Sequence, residues 1–65
     1  MITHTRRETI DDVRIPKGYS VVRAENRGYD SPDRWFEATC RGRRIGGDFG
    51  TREGAITFCV EHAKP

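Results

Sequence analysis

Apolar positions alternate in short runs as far as residue 49 and recur at helical spacing after it. In the stretch WFEATC (35–40), Phe36, Ala38 and Cys40 fall on one side, and Trp35, Glu37 and Thr39, continued by Arg41, on the other. This period of two marks a strand with one covered face. The stretch RIGGDF (44–49) sets Ile45, Gly47 and Phe49 together in the same way, and RGRR (41–44) supplies a tight hairpin centred on Gly42. An earlier strand, YSVVRAEN (19–26), sorts Tyr19, Val21, Arg23 and Glu25 from Ser20, Val22, Ala24 and Asn26. The second set is uniformly small or apolar, so it is the side expected beneath a helix. Pro16, Lys17 and Gly18 read as a turn before this strand. Residues 27–34, rich in Gly, Pro, Asp and Ser, read as a loop after it.

Beyond Phe49 the period changes. Gly50 permits a reversal, Thr51 is a good N-cap for unpaired amides of a first helical turn, and Glu53 sets negative charge against the positive end of the helix dipole. Ala55, Ile56, Cys59, Val60 and Ala63 then recur at intervals of three and four, one stripe that can lie across a sheet. Gly54 inside the first turn costs roughly 1 kcal/mol relative to Ala, so the helix depends on packing. Phe58 and His62 fall at the edge of the stripe, suited either to flanking the core or to a small exposed patch.

These elements predict an α+β domain, a three-stranded antiparallel sheet packed against one C-terminal α-helix in β-β-β-α order. A fourth, edge strand joins if Ile10, Val13 and Ile15, β-branched but imperfectly alternating, are drawn in. Residues 1–15 are then an N-terminal arm and residues 16–65 the single sheet-plus-helix domain. One helix covers one sheet face and leaves the other bare.

Composition narrows the function. A chain of 65 residues, 34% hydrophobic and 34% charged, builds only a small core, which argues against a deep catalytic cavity. Lys and Arg total 12 against 10 Asp and Glu, for a formal charge of +2, mildly basic and well short of a nucleic-acid coat protein. The excess is local: Arg34, Arg41, Arg43 and Arg44 face Asp33, Glu37 and Asp48 as neighbouring counter-charges. No apolar run approaches a membrane span, and MITHTRRETI lacks the apolar segment of a signal peptide. A cytoplasmic location is expected, with Cys40 and Cys59, both inward-facing, as reduced thiols.

Site chemistry is sparse. Cys59 and His62 could pair as nucleophile and base but lack an orienting acid. Cys40, Cys59, His62 and His4 lack the paired spacings of a zinc site. Gly46 and Gly47 lie within a strand, where they are expected to admit a close backbone or ring rather than to cradle a phosphate. No enzyme activity, cofactor, metal or small-molecule substrate is expected.

The pattern of Gly47, Phe49, Thr51, Glu53 and Ala55 at every second position, preceded by Trp35 and a basic Arg44, resembles the three-stranded-sheet-plus-helix DNA-binding domains of plant ethylene-response factors. The arm-site-binding domains of phage integrases are similar in architecture. The resemblance spans Trp35 to Ala63 and implies that the uncovered sheet face enters the major groove through Arg and Trp side chains. Here the first strand offers Arg23 as its only arginine, and Glu25 and Glu37 fall on the same outward side. The candidate contact residues are Tyr19, Arg23, Trp35, Thr39, Arg41, Arg43 and Arg44, a mixture suited to phosphates and base edges. The expected function is a small non-enzymatic nucleic-acid-binding module. The alternative is a phage or mobile-element accessory protein, an adaptor or an inhibitor such as an anti-CRISPR, docking on a partner protein with an acidic surface through Trp35, Tyr19 and the hairpin, since Trp, Tyr and Arg dominate binding hot spots.

Overall fold

The structure, a computed structural model, describes residues 4–27 and 33–65. Strands β1 (His4–Ile10), β2 (Tyr19–Arg27), β3 (Asp33–Cys40) and β4 (Arg43–Phe49) form one sheet in the order β1-β2-β3-β4, followed by helix α1 (Arg52–Ala63). All three neighbouring pairs are antiparallel. The architecture is α+β, with the fourth strand present. Of the loop expected over residues 27–34, the part at 28–32 lies outside the described residues.

The fourth strand is not where β-branching suggested. It occupies most of the expected arm, and the chain turns at the residues read as an edge strand: Asp12 Oδ1 accepts a bond from the Arg14 amide at 2.9 Å. The Ile15 amide also donates to the Asp12 carbonyl at 3.1 Å. A side chain that bonds the backbone two residues on favours a turn over a ladder. Val13, carried on this turn, is fully exposed. β1 itself has little apolar signal because its residues are exposed as far as Thr9; backbone pairing and cross-strand charge, such as Arg23 to Glu8 at 2.6 Å, hold it instead.

One row of side chains crosses the whole sheet beneath the helix: Ile10 opposite Val21, Val21 opposite Ala38, and Ala38 opposite Ile45. Val21 and Ala38 are buried together with Ala55, Ile56 and Cys59 of α1, and Tyr19, Phe36, Phe49 and Val60 pack around them. The sidedness read for β3 therefore holds. That of β2 is reversed: Tyr19 and Val21 meet the helix, and Ala24 is buried on the opposite side of the sheet. The physical reason is length. The helix covers only the half of β2 near Tyr19, so Arg23 and Glu25, on the same face, run past it into solvent-exposed ion pairs with Glu8 and Arg34. A strand spanning two environments does not present one amphipathic pattern.

The helix begins as expected. Thr51 has extended backbone angles, and its hydroxyl accepts from the Gly54 amide at 3.0 Å, which satisfies one unpaired donor of the first turn. Ala63 departs from the stripe and is exposed at the helix end. Between Phe36 and Ala38 the β3–β4 register shifts, with Ile45 opposite Ala38 but Phe49 opposite Phe36. The extra residues form a bulge at Gly46, whose φ is +66°. A Cβ there would lie 3.0 Å from the rings of both Phe49 and Phe58, so the glycine admits the aromatic pair, whose centroids are 5.2 Å apart.

Candidate binding surface

The sheet face away from the helix carries Arg7 from β1, Val22 and Ala24 from β2, and Trp35, Glu37 and Thr39 from β3, as the cross-strand partners require. At its centre lies a carboxylate. Glu37 is 5% exposed. Arg7 donates through Nε at 3.1 Å and through its second guanidinium nitrogen at 3.4 Å, and Trp35 Nε1 donates at 2.9 Å. The bond from Arg7, then that from Trp35, hold the Glu37 carboxyl below the usual carboxylate range against the opposing effect of burial. Ala24, opposite Arg7 on one side and Trp35 on the other, is fully buried between them.

The seven candidate contact residues divide. Trp35 and Thr39 lie on this open face, with Arg44 opposite Thr39. Tyr19 does not: it packs against the helix side, where its hydroxyl and His62 Nδ1 share a 2.7 Å hydrogen bond and the two rings meet edge to face. Arg23 is also on the helix-side face, paired with Glu8. Arg43, opposite Cys40, shares that side, and Arg41 lies in the turn. The expected single outward face of Tyr19, Arg23 and Trp35 is therefore corrected to two faces that meet at the hairpin. Glu25 follows Arg23 to the helix side, and Glu37 is an interior partner of Arg7 rather than a solvated countercharge. Sequence reasoning missed Arg7; its signal was the alternation of Thr5, Arg7 and Thr9, which is weak because none of them is apolar.

The hairpin joins β3 to β4 through Arg41 and Gly42, both with positive φ, 52° and 84°. This is the geometry of a two-residue primed turn. Arginine is an uncommon occupant of the first position, because a Cβ is crowded there. The Arg41 amide donates to the Gly18 carbonyl at 2.8 Å, tying the hairpin to the Pro16–Gly18 turn and bringing Lys17 to the same end of the molecule.

Arg7, Arg14, Arg23, Arg34 and Arg52 are each bonded to a carboxylate, and Arg44 pairs with Asp48 at 2.6 Å. Arg41, Arg43 and Lys17 are exposed and make no ion pair with any described residue. Arg6 of β1 is likewise exposed without an ion pair to a described residue, but Arg41, Arg43 and Lys17 are the ones that cluster, at the hairpin end.

Cys40 is half-buried, Cys59 is buried, and both are free thiols; burial, followed by the neighbouring Cys40, raises the Cys59 thiol above its ordinary range. No group of three metal-ligating side chains occurs among the described residues. Nor, among them, is any helix long and apolar enough to cross a membrane. Comparison with protein-family models, curated proteins and solved structures gives no match.

Proposed function

We propose that the chain is a small non-enzymatic nucleic-acid-binding module that holds a phosphate backbone with the β3–β4 hairpin and the adjoining open sheet face. The observation that supports it is a cluster of unpaired cations: Arg7, Arg23 and Arg34 are bonded to carboxylates, whereas Arg41, Arg43 and Lys17, together at the hairpin end, make no ion pair with a described residue. Unpaired guanidinium groups fork onto phosphate oxygens without first losing a protein partner. Lys17 extends the same positive end. Trp35 contributes through its ring, since its indole N–H is already given to Glu37; a ring face stacks on any base.

Anisotropy of labelled duplex DNA and single-stranded RNA of random sequence, titrated across a salt series, tests this reading. Affinity should fall log-linearly with salt, and Arg41→Ala with Arg43→Ala should reduce the slope by up to about 2. Unchanged anisotropy of both probes at low salt overturns it.

A second reading, docking on a partner protein, draws on the neutral centre of the open face, where Arg7 cancels Glu37 and leaves Trp35 and Val22 half-buried. An aromatic centre with a charged rim suits a protein interface. Trp35→Ala would then abolish partner capture without loss of the fold.

A further inference from the structure

The two edges of the sheet differ. β4 is interrupted by the bulge at Gly46, and such an irregularity blocks the addition of another strand. β1 runs regularly from His4 to Ile10, paired with β2 at all seven positions. It contains no proline and no bulge, and among the described residues its outer side has no strand neighbour. Its outward backbone groups are thus arranged for a further strand.

We propose that this edge pairs with β1 of a second copy of the chain, giving a continuous eight-stranded sheet about a two-fold axis through Arg7. The register follows from face and charge. In an antiparallel pair related by such an axis, opposed residues must lie on the same sheet face, so the axis passes through a residue. Centring on Arg7 overlaps all seven positions and sets Arg6 opposite Glu8 of the partner, and Glu8 opposite the partner's Arg6. Centring on Arg6 or on Glu8 shortens the overlap to five positions and opposes like charges at the axis on the helix-side face. Arg7 also meets its own copy, but it lies on the open face with its charge already given to Glu37. Only the Arg7 register is both full-length and complementary in charge on the helix-side face.

The side chains are disposed for it. Arg6 is exposed and makes no ion pair with a described residue, so it is available to a partner carboxylate. Glu8 is exposed and accepts from Arg23 through one oxygen, Oε1, at 2.6 Å, leaving Oε2 for Arg6 of the other copy. On the open face the two Arg7 side chains meet at the axis. Each directs both of its bonding nitrogens inward to Glu37, which offsets their mutual repulsion. Strand addition of this kind draws on backbone hydrogen bonds for affinity and on side-chain pairing for register.

Sedimentation equilibrium of the full chain, across concentrations bracketing a dissociation constant of ~1 µM to ~1 mM, should show the mass rising toward twice the 7.5 kDa of one chain. Arg6→Glu places two carboxylates opposite each other, and Glu8→Arg two guanidinium groups; each variant alone should remain monomeric at concentrations where the native chain is paired. Mixed in equal amounts, the two variants face each other with opposite charges at both positions and should recover the doubled mass. Circular dichroism of each variant separates loss of pairing from loss of fold. The proposal is overturned by a mass of one chain throughout the native series, by a dimer that survives both single substitutions, or by folded variants that fail to combine.

Discussion

Arg7 of β1 bonds Glu37 of β3 across the intervening strand, at 3.1 Å between Nε and Oε1. The reach is possible because β2 places Ala24, fully buried, beneath the arginine. A larger residue there would lift the guanidinium off the carboxylate. The pair ties β1 to β3 across β2 on the side without a helix, and the Trp35 N–H bonds the same carboxylate. Glu37→Ala would leave a half-buried indole N–H and a guanidinium without their acceptor, and is expected to cost roughly 1–3 kcal/mol. Urea denaturation measures it, and a loss within about 0.5 kcal/mol, the scale of a surface substitution, would show that the carboxylate is solvated.

Acid should weaken the fold through the same group. Because the Glu37 carboxyl titrates below its ordinary value in the folded chain, its contribution is complete above the unfolded value of about 4.3 and is lost as pH falls through the folded value. Asp12 is lowered in the same direction, chiefly by side-chain bonding from Arg14, and Glu53 likewise by Arg14. The melting midpoint should therefore be flat near neutrality and decline below a pH of about 4.3. Glu37→Gln should make that decline shallower. A midpoint that rises on acidification would contradict the assignment.

How far this was legible depended on whether one side chain had one environment. The Thr51 cap, the sidedness of Phe36, Ala38 and Cys40, and the hairpin at Gly42 follow from rules acting over a few residues. β1 was obscured because it is held by backbone pairing and by the ion pairs of Arg7 and Glu8, to which a count of apolar positions is blind. β2 misled for a different reason: Val21 and Val22 are both β-branched, and which of them meets the helix depends on where the helix ends. The role of Glu37 could not be read without Arg7, thirty positions away. The unpaired state of Arg41 and Arg43 likewise depends on which carboxylates the fold carries elsewhere.

Gly46→Ala tests the bulge. The new Cβ would stand 3.0 Å from ring carbons of Phe49 and Phe58 at a backbone φ of +66°, combining a steric clash with a conformation that L residues rarely adopt. A loss of at least about 1 kcal/mol is expected. Gly47→Ala, where nothing lies within 4 Å of the added carbon, is the control and should be far milder. Equal losses in the two variants would count against the close ring packing.

Tyr19→Phe separates structure from binding. It removes the hydroxyl that shares a 2.7 Å bond with His62 but keeps the ring against the core. The melting midpoint should drop modestly, while affinity for DNA or RNA stays unchanged, because Tyr19 faces the helix rather than the open sheet. Weakened binding with an intact fold would restore Tyr19 to the contact surface.

Arg41 sets stability against function. Its φ of 52° suits asparagine at the first position of a primed turn far better than arginine. Arg41→Asn should therefore stabilise the hairpin, by about 0.5–1 kcal/mol if the left-handed strain is relieved, and at the same time remove one unpaired cation. Binding of random duplex DNA should weaken and its salt slope fall by about 1. Stability and affinity moving in opposite directions is what a strained functional residue produces. A variant that gains stability with affinity and slope unchanged would leave Arg41 without a role in the proposed phosphate contact.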